Sequence, residues 1–192
     1  MEKSKSTHLI KKKKELKLIP IYSTSLITRN ISLSINQVGK NVREIIEKCI
    51  AFNFEGKCIV EGYIRPNSTK IVSFSSGLID RGTSISFEVV FECEICYPVE
   101  GMLIQCVAKN ITKAGIRCES LEEKPSPIVV FIARDHHYNN NYFNSVQEDD
   151  KITIRVIGQR FELNDKFISI IGELVMPMPH KNNEKLKLVI EN

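Results

Sequence analysis

No apolar run in this chain is long enough to cross a bilayer as a helix. The longest near its end, Phe167 to Pro179, is broken by Glu173 and falls well short of the roughly 20 residues a spanning helix needs. An apolar core behind the N-terminal lysines is also missing, so neither a transmembrane span nor a secretory signal peptide is predicted. The expectation is an intracellular protein. In that setting the sequons at Asn30, Asn67 and Asn110 are chance matches, and Cys49, Cys58, Cys93, Cys96, Cys106 and Cys118 stay reduced, without disulfides. A strong charge bias is absent as well: 27 Lys and Arg against 23 Asp and Glu leave +4, too little to mark a nucleic-acid binder by itself. No internal repeat is found.

What the chain does have is enough apolar material, 42% of 192 residues, to fill one ordinary core or two small ones. Lysines crowd the first stretch (Lys3, Lys5, Lys11 to Lys14, Lys17), which reads as a basic mobile arm over residues 1–19. Its KKKK run is equally a nucleic-acid or nuclear-localisation patch or a solvated arm. Asn30 to Ile35 alternates as a strand with one wet face. After Gly39 the period becomes helical: Val42, Ile45, Ile46, Cys49 and Ile50 share one face, predicting an amphipathic helix from about Lys40 to Asn53, stopped by Gly56.

Three strands are predicted next, Lys57 to Ile64, Lys70 to Leu78 and Ser84 to Tyr97, separated by the turn residues Arg65 to Ser68 and Asp80 to Gly82. Pro98 punctuates the chain before Gly101. Five further strands follow: Met102 to Val107, Ile116 to Glu119, Ile128 to Ala133, Lys151 to Gly158 and Phe167 to Leu174, with Asn164-Asp165 turning the last hairpin. From Met176 onward, prolines and charges read as a tail.

Residues 101–115, GMLIQCVAKNITKAG, followed by PIVVFIARDHH and KITIRVIGQRFELNDKFISIIGEL, resemble an S1-type OB barrel. The preceding half, with FEGKCIVEGYI at 54–64 and SGLIDRGTSISFEVVFECEICYPVEG at 76–101, extends the likeness. From about Ile21 to Val175 the chain resembles the stalk subunit of multisubunit DNA-directed RNA polymerases, the family of the seventh eukaryotic subunit and its archaeal counterpart. Two features depart from that family: Cys106 stands where a second glycine is frequent, and VMPMPHKNN replaces the usual acidic, tyrosine-containing ending. The lysine-rich extension and AT-biased composition suit a large DNA virus.

The resemblance implies an α+β N-terminal tip domain (20–98) docking on the polymerase core, an all-β S1-type OB barrel (99–175) that binds RNA, and a C-terminal tail (176–192). It implies a non-catalytic transcription subunit, working as a heterodimer with a partner stalk subunit, beside the core subunits and single-stranded nascent RNA, in the nucleus or in a cytoplasmic viral factory or virion. Core docking would fall on Gly62, Tyr63, Ile64, Arg65, Pro66 and Asn67. The alternative is a free-standing S1 RNA-binding protein in translation or RNA decay.

RNA binding on an OB surface needs cations along the phosphate path and planar side chains for stacking. Lys109, Lys113, Arg117, Arg134, His136, Arg155 and Arg160 are the polar candidates. Phe131, with Tyr138 and Phe161, offers rings, although Phe131 and Phe161 also fit a core role. Cys93-Glu94-Ile95-Cys96 has the C-x-x-C spacing of half a zinc site, yet strand alternation sends the two thiols to opposite faces and no second pair exists. Arg134 to His137 could serve a metal-dependent nuclease, but the cluster beside Tyr138 to Asn141 reads as a polar loop. No cofactor or metal is expected.

Overall fold

The computed structural model of the chain describes residues 20–176 apart from 81 and 122. The basic arm and the tail beyond Met176 therefore lie outside the described residues. Two long strands organise the first part: β1 (Tyr22–Ser34) runs antiparallel to β6 (Ser84–Cys96), from Tyr22 opposite Cys96 to Ser34 opposite Ser84. β1 begins well before the predicted Asn30, because its serine-rich start is held by the β6 ladder rather than by apolar alternation. Ile27, Ile31 and Leu33 share one face with Phe87, Val89, Phe91, Cys93 and Ile95.

Against that face lies α1 (Val42–Phe54), whose Ile46 and Ile50 are fully buried; Phe54 stacks on Phe91 with centroids 5.9 Å apart. Each buried isoleucine contributes about 1.5–3 kcal/mol, more than the intrinsic preference of a helix this short can supply. The helix starts two residues later and ends one later than the periodicity predicts.

The predicted strand 57–64 is instead a tight hairpin, β2 (Cys58–Ile59) and β3 (Gly62–Ile64), pairing Cys58 with Tyr63. Gly62 makes the reversal possible. Its φ is +132°, and a Cβ there would stand 2.5 Å from the Cys96 carbonyl oxygen, so only glycine lets β3 close onto β6. The predicted strand 70–78 likewise splits into β4 (Lys70–Phe74) and β5 (Leu78–Asp80), both on β6. Between them Ser75 keeps the ladder going, its amide donating to the Glu88 carbonyl at 2.9 Å.

The second part is a closed barrel of β7 (Leu103–Ile111), β8 (Gly115–Ser120), β9 (Ile128–Ala133), β10 (Lys151–Arg160) and β11 (Ile168–Val175). Around the barrel the order is β7-β8-β9-β11-β10, closing on β7, and only β9 and β11 are parallel. Five strands fall where five are predicted, three of them longer by two or three residues. Every second residue points inward, among them Ile104, Cys106, Ile116, Cys118, Val130, Ile132, Ile154 and Ile170. The short helix α2 (Asn141–Ser145) packs its buried Phe143 into this core, and the Asn140 side chain caps it.

The two parts share their packing. Ile21, Cys58, Tyr63 and Cys96 belong to the barrel's buried cluster, although all precede Gly101. The Cys58 amide donates to the Asp165 carbonyl at 2.8 Å and its carbonyl accepts from Asn164 at 2.9 Å. Tyr22 donates to Glu123 at 2.6 Å, and Arg65 bridges Glu94 and Glu123 while lying 5.0 Å over the Tyr22 ring. Burial and the Glu123 carboxylate push the Tyr22 hydroxyl far above its ordinary pKa.

Candidate nucleic-acid interface

Register fixes what the barrel shows to solvent. Arg117 on β8 stands opposite Phe131 on β9, Phe131 opposite Ile171 on β11, and Ile171 opposite Gly158 on β10. The row beside it runs Glu119, Val129, Ser169, Arg160. Phe131 is therefore a surface ring, 40% exposed, not a core residue. Gly115 keeps it in place, since a Cβ there would meet the Phe131 ring at 3.0 Å and the Ile132 carbonyl oxygen at 2.2 Å.

The barrel's expected RNA-binding cations are mostly matched by carboxylates. Lys109 pairs with Asp149, Arg117 with Glu119 at 3.0 Å, Arg155 with Glu173 at 3.1 Å and Arg160 with Glu162 at 3.0 Å. Solvent-exposed pairs of this kind contribute about 0–1 kcal/mol each, so a phosphate can compete for the same guanidinium. Lys113 is exposed and forms no salt bridge among the described residues.

Arg134 is held in place by the fold itself. Its guanidinium donates to the Lys113 carbonyl (2.9 Å), the Thr112 carbonyl (3.2 Å) and Asn144 Oδ1 (3.2 Å), and lies 5.0 Å over Phe143. It staples the β7–β8 turn to the connection between β9 and β10. Its neighbour His136 is exposed, whereas His137 is buried. Leu174 N–H donates to His137 Nε2 at 3.0 Å, so Nδ1 carries the proton and donates to the Ala133 carbonyl at 2.8 Å. The ring also stacks on Phe143 with centroids 5.2 Å apart. Sequence reading grouped His137 with its neighbours as a polar loop; adjacent histidines give no signal of which one turns inward.

Phe161 is not an open stacking platform either, because it is half-buried and packs edge-on against Tyr97 at 6.1 Å. Tyr138 is 76% exposed. Of the residues expected to dock on a larger assembly, Gly62, Tyr63 and Ile64 are buried inside this chain, where the hairpin closes onto β6. Pro66 and Asn67 are exposed beside half-buried Arg65. Their loop is held by Glu55, an unpredicted residue, which accepts from the Asn67 amide at 2.9 Å and the Thr69 amide at 3.1 Å. The loop borders an open cleft of about 410 Å³ floored by Glu92 and Glu94.

Cys93 and Cys96 do face opposite ways, Cys93 into the helix-backed core and Cys96 into the barrel core. Burial pushes the thiols of Cys58 and Cys93 up to about 11 and that of Cys118 to about 12, which disfavours the thiolate a metal needs. Among the described residues no cluster of three or more His, Cys, Asp or Glu could hold a metal ion. No described helix is long and apolar enough to cross a membrane.

A closed five-stranded barrel in OB strand order, fused to a helix-backed sheet, places the chain in the class of OB-barrel proteins. No family model matches it. Comparison with known proteins bears out the resemblance to the seventh-subunit family of DNA-directed RNA polymerases. A protein of Acanthamoeba polyphaga mimivirus described as a DNA-directed RNA polymerase subunit is 25% identical over 172 residues, covering 81% of this chain and 82% of that one. DNA-directed RNA polymerase II subunit RPB7 of Glycine max is 24% identical and subunit 7 of Arabidopsis thaliana 22%, each match covering 77% of this chain and 95% of the relative.

Proposed function

We propose that the chain is a non-catalytic stalk subunit of a DNA-directed RNA polymerase, the sheet-and-helix part (20–98) serving as a tip that docks on the core and the barrel (99–175) meeting nascent RNA. The observation that carries this reading is the joint likeness: the match to polymerase subunits runs through both parts, over 95% of the plant relatives' length. A giant-virus relative favours a viral polymerase, acting in the nucleus or a cytoplasmic viral factory. A partner stalk subunit completes the assembly. Docking falls to the Gly62 to Asn67 segment, whose Pro66 and Asn67 are exposed beside half-buried Arg65.

On the barrel, Lys109, Lys113, Arg117, Arg134, His136, Arg155 and Arg160 supply the polar contacts, with Phe131 as the stacking ring. Recovery of tagged full-length protein with large polymerase subunits supports the stalk; a monomer that still binds RNA means the free-standing S1 protein instead. Charge reversal at Lys109, Arg117 and Arg155 together should weaken binding of a single-stranded oligoribonucleotide and flatten its salt dependence. Unchanged binding would reject this face.

A further inference from the structure

We propose that the shallow pocket over Gly158, on the outer face of β9, β11 and β10, is a subsite for one unpaired nucleobase; this rests on the RNA-binding reading of the barrel. The pocket measures about 380 Å³ and is walled by Phe131, Ile171, Val129, Ser169 and Arg160 around Gly158. Its origin is the irregularity in β10. Ile152, Ile154 and Val156 point inward, but the register shifts between Val156 and Gly158, after which Gln159 stands opposite buried Ile170 and Gly158 opposite exposed Ile171. Gly158 thus faces outward.

Nothing in the fold requires a glycine at that position. Its φ lies outside the left-handed region, and an added Cβ would meet no atom within 4 Å. A strand interior disfavours glycine relative to residues with a side chain. What this glycine provides is the vacancy itself, at the end of the row Arg117, Phe131, Ile171.

The walls match a base more closely than a peptide side chain. Phe131 and Ile171, 40% and 52% exposed, both line the pocket and bring an aromatic and an aliphatic side chain, apolar material that suits the flat faces of any base. Arg160 lines the pocket beside Ser169, and Arg117 is the cross-strand neighbour of Phe131, two cations for the phosphates that flank a single nucleotide. Both are in solvent-exposed ion pairs, which a phosphate can replace.

The test is fluorescence-anisotropy titration of the full chain with labelled A12 RNA. Gly158→Leu should fill the pocket and weaken binding by about fivefold or more, within the range of one lost stacking interaction, leaving the slope of log K against log salt and the melting temperature unchanged. Phe131→Ala removes the ring without inserting anything, and should give a comparable loss; the double variant should lose no more than the larger single effect. Equal affinity for wild type and Gly158→Leu overturns the subsite while leaving the RNA reading intact. Absence of RNA binding by the wild type overturns both. Loss of copurifying protein with RNA affinity unchanged makes the pocket a protein contact, and also overturns it.

Discussion

Replacing His137 tests whether one buried imidazole fixes the connection that carries Arg134 and His136. The ring fills space against Phe143, receives the Leu174 N–H and donates to the Ala133 carbonyl, so it ties the end of β9 to β11. Phenylalanine keeps the stacking but leaves both backbone groups without a partner, at about 1–3 kcal/mol each, for an expected loss of roughly 2–6 kcal/mol. Alanine removes the ring as well and should lose about 1–3 kcal/mol more than phenylalanine. Because the chain has no tryptophan, urea unfolding is best followed by far-UV circular dichroism, with the slope checked so that midpoints convert to free energies. The two variants should rank alanine below phenylalanine below wild type. His137→Phe within about 0.5 kcal/mol of wild type, the scatter of ordinary surface changes, would refute a structural role for these two hydrogen bonds.

Thiol chemistry gives a second prediction: in the native protein Cys49, half-buried, should react with an aromatic disulfide reagent well before the five buried cysteines, and equal labelling of Cys106 would contradict the closed barrel core. The same burial sets an alkaline limit. Thiols that ionise near pH 8.5 when unfolded keep their protons in the fold until about 11 at Cys58 and Cys93, so stability should fall as pH rises from about 8.5 towards 11; a urea midpoint at pH 10 equal to that at pH 7.5 would count against it. Gly62→Ala should lose about 3 kcal/mol or more, from backbone strain at positive φ plus the collision with the Cys96 carbonyl. An unchanged thermal midpoint would show that β3 can shift on β6 without penalty.

How much of this was legible beforehand depended on whether the signal was local. Alternation through Phe87 to Ile95 sufficed to place Cys93 and Cys96 on opposite faces, because period 2 belongs to the strand itself, and helical spacing from Val42 to Ile50 located α1 within two residues. The break at Val60-Glu61 was not legible: Gly62 needs its special geometry only because the Cys96 carbonyl lies against it, a contact 34 positions along the chain. The candidate cations were visible as residue types. Their partners were readable only for Arg117–Glu119 and Arg160–Glu162, two positions apart on one strand or its extension, whereas Lys109 finds Asp149 through the barrel's closure.

Those partners bear on what the barrel can do. A face whose arginines are already neutralised attracts RNA weakly at long range, since each new phosphate contact exchanges one anion for another rather than adding uncompensated charge. Under the proposed function, affinity rests more on stacking at Phe131 and less on electrostatics. Stacking discriminates little among bases. Under the proposed function, a transcript that must keep sliding past its polymerase is served by such a surface, because no single register of the RNA is held much more tightly than the next.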